Sequence, residues 1–378
     1  KKANFKTIFV NDIWKDAINT LKKNDHDITD DKIFCNDIKD IDEQFLKDKN
    51  ICYNNIDVLI GGVVCKGFSL AGIRNPYDER NYLYLEQLRL VSILKPKISI
   101  IENVPAMLNM KILKRTNNEE DLKLCEKLNN ICENYKKIRG KIITYNKKGD
   151  NTCELQKELE KLKNERKDCE TQLEKIKYSV VEDIEERYKN INYKVYKKIL
   201  DCSDYECATN RRRLFIVAVR NDLGIEWEYP EKITVDKKIT VRDVLSTIDY
   251  DNLNNPDVDM DNKPMNHNEK TVEKFKLIKS DTKQDGTFFS RGTSSRLSYD
   301  KPAPTLVPGH SSFQIHPSEH RSITIREGAA ITGFENDFFF YGSHSSKCMQ
   351  IGNAIPVNMA YHLAIQCKKI LDIHYKML

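Results

Sequence analysis

The chain has 378 residues, with 62 Lys and Arg against 57 Asp and Glu, a formal charge of +5 and a mean hydropathy of −0.61. That length allows two or three domains and a sizeable core, and 17 Tyr with 14 Phe exclude a wholly disordered chain. No run approaches the ~20 apolar residues of a membrane span, the opening KKANFKTIFVND lacks a signal-peptide pattern, and the charge is far from that of a polybasic tail.

In chain order, KTIFVND (6–12) predicts a strand and DAINTLKKN (16–24) a helix. IDVLIGG (56–62) is a short apolar run stopped by glycines, the pattern of a buried parallel strand. NYLYLEQLRLVSIL (81–94) has helical spacing, and KISIIENV (97–104) predicts another buried strand. NYKVYKKIL (192–200) and RRLFIVAVR (212–220) predict two more. This alternation argues for an open, doubly wound α/β sheet, whose ligands bind at the carboxyl ends of the strands.

Residues 111–178 interrupt that pattern. Leu124, Leu128, Ile131, Tyr135, Ile138, Ile142 and Tyr145 are spaced 4-3-4-3-4-3, and Leu155, Leu159, Leu162, Arg166, Cys169, Leu173 and Ile176 repeat the spacing. With the turn composition NKKGDN (146–151) between them, they predict an antiparallel helical hairpin inserted into the α/β domain. It reads first as a spacer closing on itself. An arm for a partner chain or for nucleic acid is the alternative. The segment carries 18 basic against 13 acidic residues, +5.

From about 226 the signals become short β-like pieces, acidic patches and glycines, which predict a second, smaller domain. Residues 221–295 hold 11 basic and 15 acidic residues, −4, which is unfavourable for phosphates. Two nearby basic segments, SRGTSSR (290–296) and HPSEHRSITIR (316–326), are expected to compensate in part. NMAYHLAIQCKKILDI (358–373) predicts an amphipathic closing helix.

Eleven cysteines are scattered without a C-x-x-C pair, so no zinc ribbon is supported and no metal is expected. Most should be reduced, buried hydrophobes. Cys65 differs, standing in a glycine-flanked loop (GGVVCKGFSLAG, 61–72) directly after a buried strand. A thiol there can be exposed and activated. Glu102-Asn103-Val104 ends a neighbouring strand and offers a carboxylate for proton transfer. NRRRLFIVAVR (210–220) places arginines before a buried strand, and QIGNAIPVNMA (350–360) is a Gly-Asn turn entering a helix. Singly, each has an ordinary structural explanation.

In this order, together, they resemble the DNA (cytosine-5) methyltransferase family. The nucleophile loop is matched as Val64-Cys65-Lys66 with Phe68, Ser69 and Gly72, followed by Asp78 and Arg80. Glu-Asn-Val is intact, and Gln-x-Arg-x-Arg is matched as Thr209-x-Arg211-x-Arg213. RLSYDKPAPTL (296–306), Thr324-x-Arg326-Glu327-x-Ala329 with Gly333-Phe334, and Gln350-Ile351-Gly352-Asn353-Ala354 match the later motifs. The likeness spans nearly the whole chain except the hairpin.

The resemblance implies a Rossmann-like methyltransferase sheet with the inserted hairpin and a smaller, mainly β target-recognition domain. The implied divisions are 1–110 and 179–225 (catalytic), 111–178 (hairpin), 226–347 (target recognition) and 348–378 (closing helix). It implies methyl transfer from S-adenosylmethionine to carbon 5 of a flipped-out cytosine in a short duplex DNA target. Cys65 would be the nucleophile, Glu102 the group at ring N3, Asn103 its neighbour, and Arg211 and Arg213 would hold the base. Asp12 would take the ribose hydroxyls, Ile13 the adenine face, and Asp37, with Ile38 beside it, the adenine amino group. Asn353 would hold the methionine end.

Three departures stand out. The Phe-x-Gly-x-Gly opening is missing, so it is expected before Lys1 or on another chain. Pro-Cys-Gln has become Val-Cys-Lys, where Lys66 should favour the thiolate. Thr209 stands for glutamine. A homologue acting on RNA, or a catalytically silent DNA-binding partner subunit, is the alternative implied. The chain is expected to be a monomer without membrane attachment, cytoplasmic and nucleoid-associated if prokaryotic, nuclear if eukaryotic. The hairpin is expected to take any protein partner.

Overall fold

The computed structural model describes residues 2–25, 27–51, 56–62, 78–114, 118–248, 250, 261–280, 295–306 and 313–377. In chain order the elements are β1 (Val10–Asn11), α1 (Lys15–Asn24), β2 (Ile33–Phe34), α2 (Glu43–Asp48), β3 (Val58–Gly62), α3 (Tyr84–Leu94) and β4 (Ile98–Asn103). Then come β5 (Lys111–Leu113), α4 (Glu119–Lys148), α5 (Cys153–Gln172), β6 (Lys177–Ser179), α6 (Val180–Asn190), β7 (Tyr193–Asp201), β8 (Thr209–Asn210) and β9 (Arg212–Arg220). The remainder are α7 (Val241–Leu245), α8 (Glu269–Leu277), β10 (Ala303–Pro304), α9 (Ile325–Thr332), α10 (His344–Asn353) and α11 (Val357–Met377). Two compact units emerge: Lys1–Asp57 with Lys198–Arg213 and Ile225–Leu378, and Val58–Lys197 with Leu214–Gly224. The segments expected as one catalytic domain are thus shared between them.

The second unit is built on a four-stranded sheet ordered β3-β4-β9-β7. β3 runs parallel to β4, and β4 antiparallel to β9, so the sheet is mixed. The two middle strands read as unbroken apolar runs because both faces are covered: Ile98, Ile100 and Ile101 on β4 and Leu214 to Val219 on β9 are buried. The edge strand β7 instead carries Lys194, Lys197 and Lys198, which blunt it against further pairing. Helix α3 buries Tyr84, Leu88, Val91 and Leu94, and its Gln87 donates to the Ile100 carbonyl at 2.9 Å. Gly61 makes this possible, since a Cβ there would stand 1.9 Å from Gln87 Oε1.

The hairpin leaves this unit through the antiparallel pair β5 and β6, in which Lys111 faces Ser179 and Leu113 faces Lys177. Asn118 caps α4, its side chain accepting from the Asp121 amide at 3.0 Å, and three carboxylates fill the first turn, where the helix dipole favours them. Gly149 closes α4 in the left-handed region at φ 80°. The heptad positions Leu128, Ile131, Cys169 and Leu173 pack over Leu113, together with the off-heptad Cys125 and Cys132. α5 ends earlier than its heptads suggest, at Gln172, because Glu174–Ile176 tightens into a 3-10 turn that delivers the chain to β6.

In the first unit β1 and β2 pair in parallel, Val10 with Ile33 and Asn11 with Phe34, over Ile18, Ile28 and Ile33. The strand expected over 6–12 is therefore shorter, since only two residues of it find a ladder partner among those described. The mainly β character expected for 226–347 is corrected. Its described residues form α7, α8, α9 and the start of α10, while β structure is confined to β10 and isolated bridges among Ser280, Arg296, Ile315 and Ser322. The physical reason is Arg296. Its buried guanidinium donates to the carbonyls of Phe275, Ile278, His316 and Glu319 at 2.6–2.7 Å, so one side chain gathers loops where a ladder was expected. Phe275, Ile278 and Ile315 cluster beside it, and Leu297, Phe313, Ile323, Ile325, Ile331 and Phe340 form a larger core of this unit.

Candidate functional site

The parallel pair β1 and β2 brings four of the expected residues to one edge. Asp12 and Ile13 follow β1, and Asp37 and Ile38 follow β2, at the carboxyl ends of adjacent strands. The ends are tied reciprocally: Asn11 Nδ2 donates to the Asn36 carbonyl at 3.1 Å, and the Asn36 amide donates to Asn11 Oδ1 at 3.2 Å. The Asp12 amide continues the ladder to the Phe34 carbonyl at 3.3 Å. The Asp12 carboxylate accepts from the Trp14 amide at 2.8 Å and remains exposed to solvent. Ile13 is 69% exposed, so its apolar side chain stands open to solvent beside Asp12. Asp37 caps a short turn, accepting from the Lys39 amide at 3.1 Å.

This edge fits a nucleoside. It offers a carboxylate for paired hydroxyls, an uncovered apolar face for a ring, and a second carboxylate one strand away for an exocyclic amine.

The closing motif is stitched to the same element pair. On α1, Thr20 Oγ1 donates to Gln350 Oε1 at 2.6 Å, and Asp16 accepts from Ser346 Oγ at 2.5 Å. Asn24 bonds the Phe339 backbone through both its amide nitrogen and its oxygen, at 2.7 and 2.8 Å. These bonds hold α10, which ends at Asn353, against the helix that follows Asp12. Arg211 completes the arrangement. It is 4% exposed, and its guanidinium donates to the carbonyls of Gly352 at 2.7 Å and Asn353 at 3.2 Å. A cation meeting carbonyls at a helix carboxyl end is favourable to both. Arg211 is therefore a positioning residue for the Gly352–Asn353 turn, a role the sequence did not signal. Arg213, two residues on, is more open and donates to the Arg212 carbonyl at 2.7 Å.

In the second unit, Glu102 and Asn103 end β4. Gly62 pairs with Glu102 across the ladder, and Glu102 Oε2 lies 3.9 Å from where a Cβ of residue 62 would stand. The carboxylate thus lies over the last residue of β3. Asn103 is buried, with Oδ1 accepting from the Val104 amide at 2.8 Å, which fixes the turn into Pro105. Cys65, with all of 63–77, lies outside the described residues.

Most of the other described thiols are buried. Of the nine described, seven are buried, and Cys35 and Cys153 are exposed. Burial pushes the thiols of Cys207, Cys348 and Cys367 up to about 12, so they stay protonated near neutral pH. Among the described residues no group of His, Cys, Asp and Glu is placed to hold a metal, and no helix is long and apolar enough to cross a membrane.

The described arginines of the two basic segments expected to compensate the acidic stretch are committed internally, while Arg291 lies outside the described residues. Arg296 serves the carbonyls named above. Arg321 bonds Glu327 through both terminal nitrogens at 2.8 Å. Arg326 donates to the Phe338 carbonyl at 2.9 Å and stands 3.5 Å from Asp261. His316 is buried beside Glu327, and burial holds its ring below the usual histidine range, hence neutral. These charges are spent on folding and not on phosphate.

Comparison with known proteins follows the same lines. The family model described as C-5 cytosine-specific DNA methylase matches residues 1–136 and 170–369. The type II methyltransferase M.Eco47II of Escherichia coli is 27% identical, over 98% of this chain and 76% of its own length. M.DdeI of Desulfomicrobium norvegicum is 25% identical, over 96% and 83%. Among solved structures, a protein described as a DNA modification methyltransferase encoded within an E. coli prophage superposes with a TM-score of 0.61 at 21% identity, covering 98% of this chain and 94% of that one. Schizosaccharomyces pombe Dnmt2 methyltransferase gives 0.55 at 13% identity, covering 98% and 93%. The shared fold is that of DNA methyltransferases.

Proposed function

This chain belongs to the C-5 cytosine-specific DNA methylase family, it is a DNA cytosine-5 methyltransferase, and from that premise we propose which of its residues carry the reaction. We infer a Rossmann-like sheet as the framework, S-adenosylmethionine as the methyl donor and a cytosine swung out of duplex DNA as the acceptor. The observation that carries this reading is the pair of acidic residues, Asp12 and Asp37, at the carboxyl ends of two adjacent parallel strands, with the exposed Ile13 next to Asp12. Asp12 takes the ribose hydroxyls, Ile13 and Ile38 face the adenine, and Asp37 takes its amino group. Asn353, oriented through Arg211, holds the methionine end.

When bound, the donor supplies an electrophilic methyl group. The chain must make cytosine carbon 5 nucleophilic. The Cys65 thiolate forms a bond from Sγ to carbon 6, and Glu102 donates a proton to ring N3, so the ring electrons are directed to carbon 5. Cys65 is three residues along the chain from Gly62, a span of at most about 11 Å, and Gly62 lies beside the Glu102 carboxylate. After methylation carbon 5 gives its proton to solvent water, the carbon 6–sulfur bond breaks with its electrons returning to sulfur as thiolate, and ring N3 returns its proton to Glu102. Arg213 holds the extruded base against the backbone charge beside it. Lys66, next to the nucleophile, favours the thiolate.

The test is transfer of labelled methyl groups into plasmid duplex by the wild-type protein and two variants. Cys65→Ser should incorporate none. Glu102→Gln should lower kcat by about 10²- to 10⁴-fold with little change in KM, the range expected for losing a positioned proton donor. Methyl transfer surviving in Cys65→Ser would refute the assignment, and incorporation into RNA but not duplex would refute the substrate.

A further inference from the structure

Residues 137–169 are the internal stretch that the family model leaves unmatched, and they form the outer half of the hairpin. They carry ten basic and six acidic residues, +4, against +5 for the whole chain. The distribution is uneven. From Asn134 to Gly149, the last half of α4, there are six basic residues and no acidic one. Lys137, Lys141 and Lys148 recur at i, i+4 and i+11, which places them within about 40° of one another on one helix face and spreads them over roughly 16 Å.

All three side chains are exposed, and none makes an ion pair among the described residues. On α5, by contrast, acidic residues are interspersed with basic ones, and three of its five cations are paired. Lys163 pairs with Glu160 at 2.7 Å, Arg166 with Glu170 at 2.7 Å and Lys161 with Glu165 at 3.9 Å, all along the helix. The base of the hairpin is likewise neutralised, Lys175 with Asp121 at 3.1 Å and Lys111 with Glu174 at 3.3 Å. Ile143 and Tyr145 are also exposed near the α4 end.

Charge of one sign, arrayed on a stiff helix and tempered only at Lys137 by Glu133 one turn back, suits a polyanion with regularly spaced phosphates. We propose that the Lys137–Lys141–Lys148 face of α4 binds the phosphate backbone of the substrate duplex, without reading its sequence, on DNA outside the methylated target. The arm is long enough. α4 has 30 residues, hence about 45 Å at 1.5 Å per residue, and the hairpin departs only a few residues after Glu102. This proposal rests on the methyltransferase reading for its substrate. It also supplies what the committed arginines of the 290–326 region do not, a set of cations open to phosphate.

Equilibrium binding to a duplex of about 40 base pairs, read against salt, tests it. In the variant with Lys137, Lys141 and Lys148 all changed to Gln, the slope of log K on log salt should fall in magnitude by about 3, one for each phosphate no longer neutralised. Kd should rise about tenfold near 0.15 M salt, while kcat at saturating DNA stays the same. The triple change to Arg should restore both, and Lys161→Gln with Lys163→Gln on α5 should alter neither. Circular dichroism confirms that the helices persist. An unchanged slope overturns the proposal, as does an equal loss in the α5 variant. A changed sedimentation behaviour with an unchanged slope also overturns it, in favour of a protein-binding arm. Failure of the methyltransferase reading shows itself separately, as absent methyl transfer by the wild type, and leaves the salt slope readable.

Discussion

Arg211 gives its guanidinium to two carbonyls at the end of α10, so its effect on the reaction is exerted through the turn that carries Asn353. Arg211→Lys keeps the charge but not the fork that meets both oxygens. We expect it to cost about 2 kcal/mol in urea unfolding and to weaken cofactor binding, with rescue of neither by salt. Asp12 is the contrasting case. Its carboxylate is exposed and serves one backbone amide, so Asp12→Asn should leave the melting temperature in place. Isothermal titration should show S-adenosylmethionine binding weakened by about ten- to a hundredfold, the value of a hydrogen bond to a charged acceptor. A melting shift without an affinity loss would make Asp12 a turn residue only.

At the scale of elements, α9 shows how a recognisable motif can be architectural. Thr324 Oγ1 accepts from the Glu327 amide at 3.1 Å, and Glu327 Oε2 accepts from the Thr324 amide at 2.7 Å, a reciprocal cap. Gly333, at φ 87°, ends the helix, and the Phe334 amide returns to the Ala329 carbonyl at 3.0 Å. Burial pushes the Glu327 carboxyl up, but the two bonds from Arg321 outweigh it and hold the group below the usual glutamate range. Since its folded pKa lies below its unfolded value, the stabilisation is present above the unfolded pKa of about 4.3. It is lost as pH falls from there through the folded pKa. Glu327→Gln should therefore flatten the acid limb of the stability curve and cost about 3 kcal/mol at pH 7, because Arg321 keeps its charge with only the more exposed Glu319 left to meet it. An unaltered acid limb would contradict this.

The residues were legible here and their task was not, since a cap and a catalytic carboxylate look alike in a string. The same holds for the 226–347 region, where β-like pieces proved to be loops gathered by Arg296. Long unbroken signals fared better. The apolar runs of β4 and β9 and the heptads of α4 formed as the spacing predicts, because burial on two faces or along a seam leaves one periodicity open to the chain. Arg211 could not be read in advance, because its partners are backbone carbonyls about 140 residues away.

Across the whole molecule, the near-balanced charge conceals opposite local values. The acidic stretch at 221–295 and the basic end of α4 nearly cancel in the total, and the described arginines that looked free for DNA are used inside the fold. What we assign to chemistry is small: a carboxylate at the end of β4, the acidic edge at β1 and β2, and one cysteine in eleven. The claim that joins them is that Cys65 attacks cytosine. The most direct measurement is the mass of the protein after incubation with S-adenosylmethionine and a duplex in which 5-fluorocytosine replaces the target base. Fluorine at carbon 5 cannot leave as a proton does, so the sulfur–carbon bond should persist. The account predicts a stoichiometric protein–DNA adduct whose cross-linked peptide contains Cys65, absent in Cys65→Ser. An adduct that survives in Cys65→Ser, or maps to another cysteine, would contradict it.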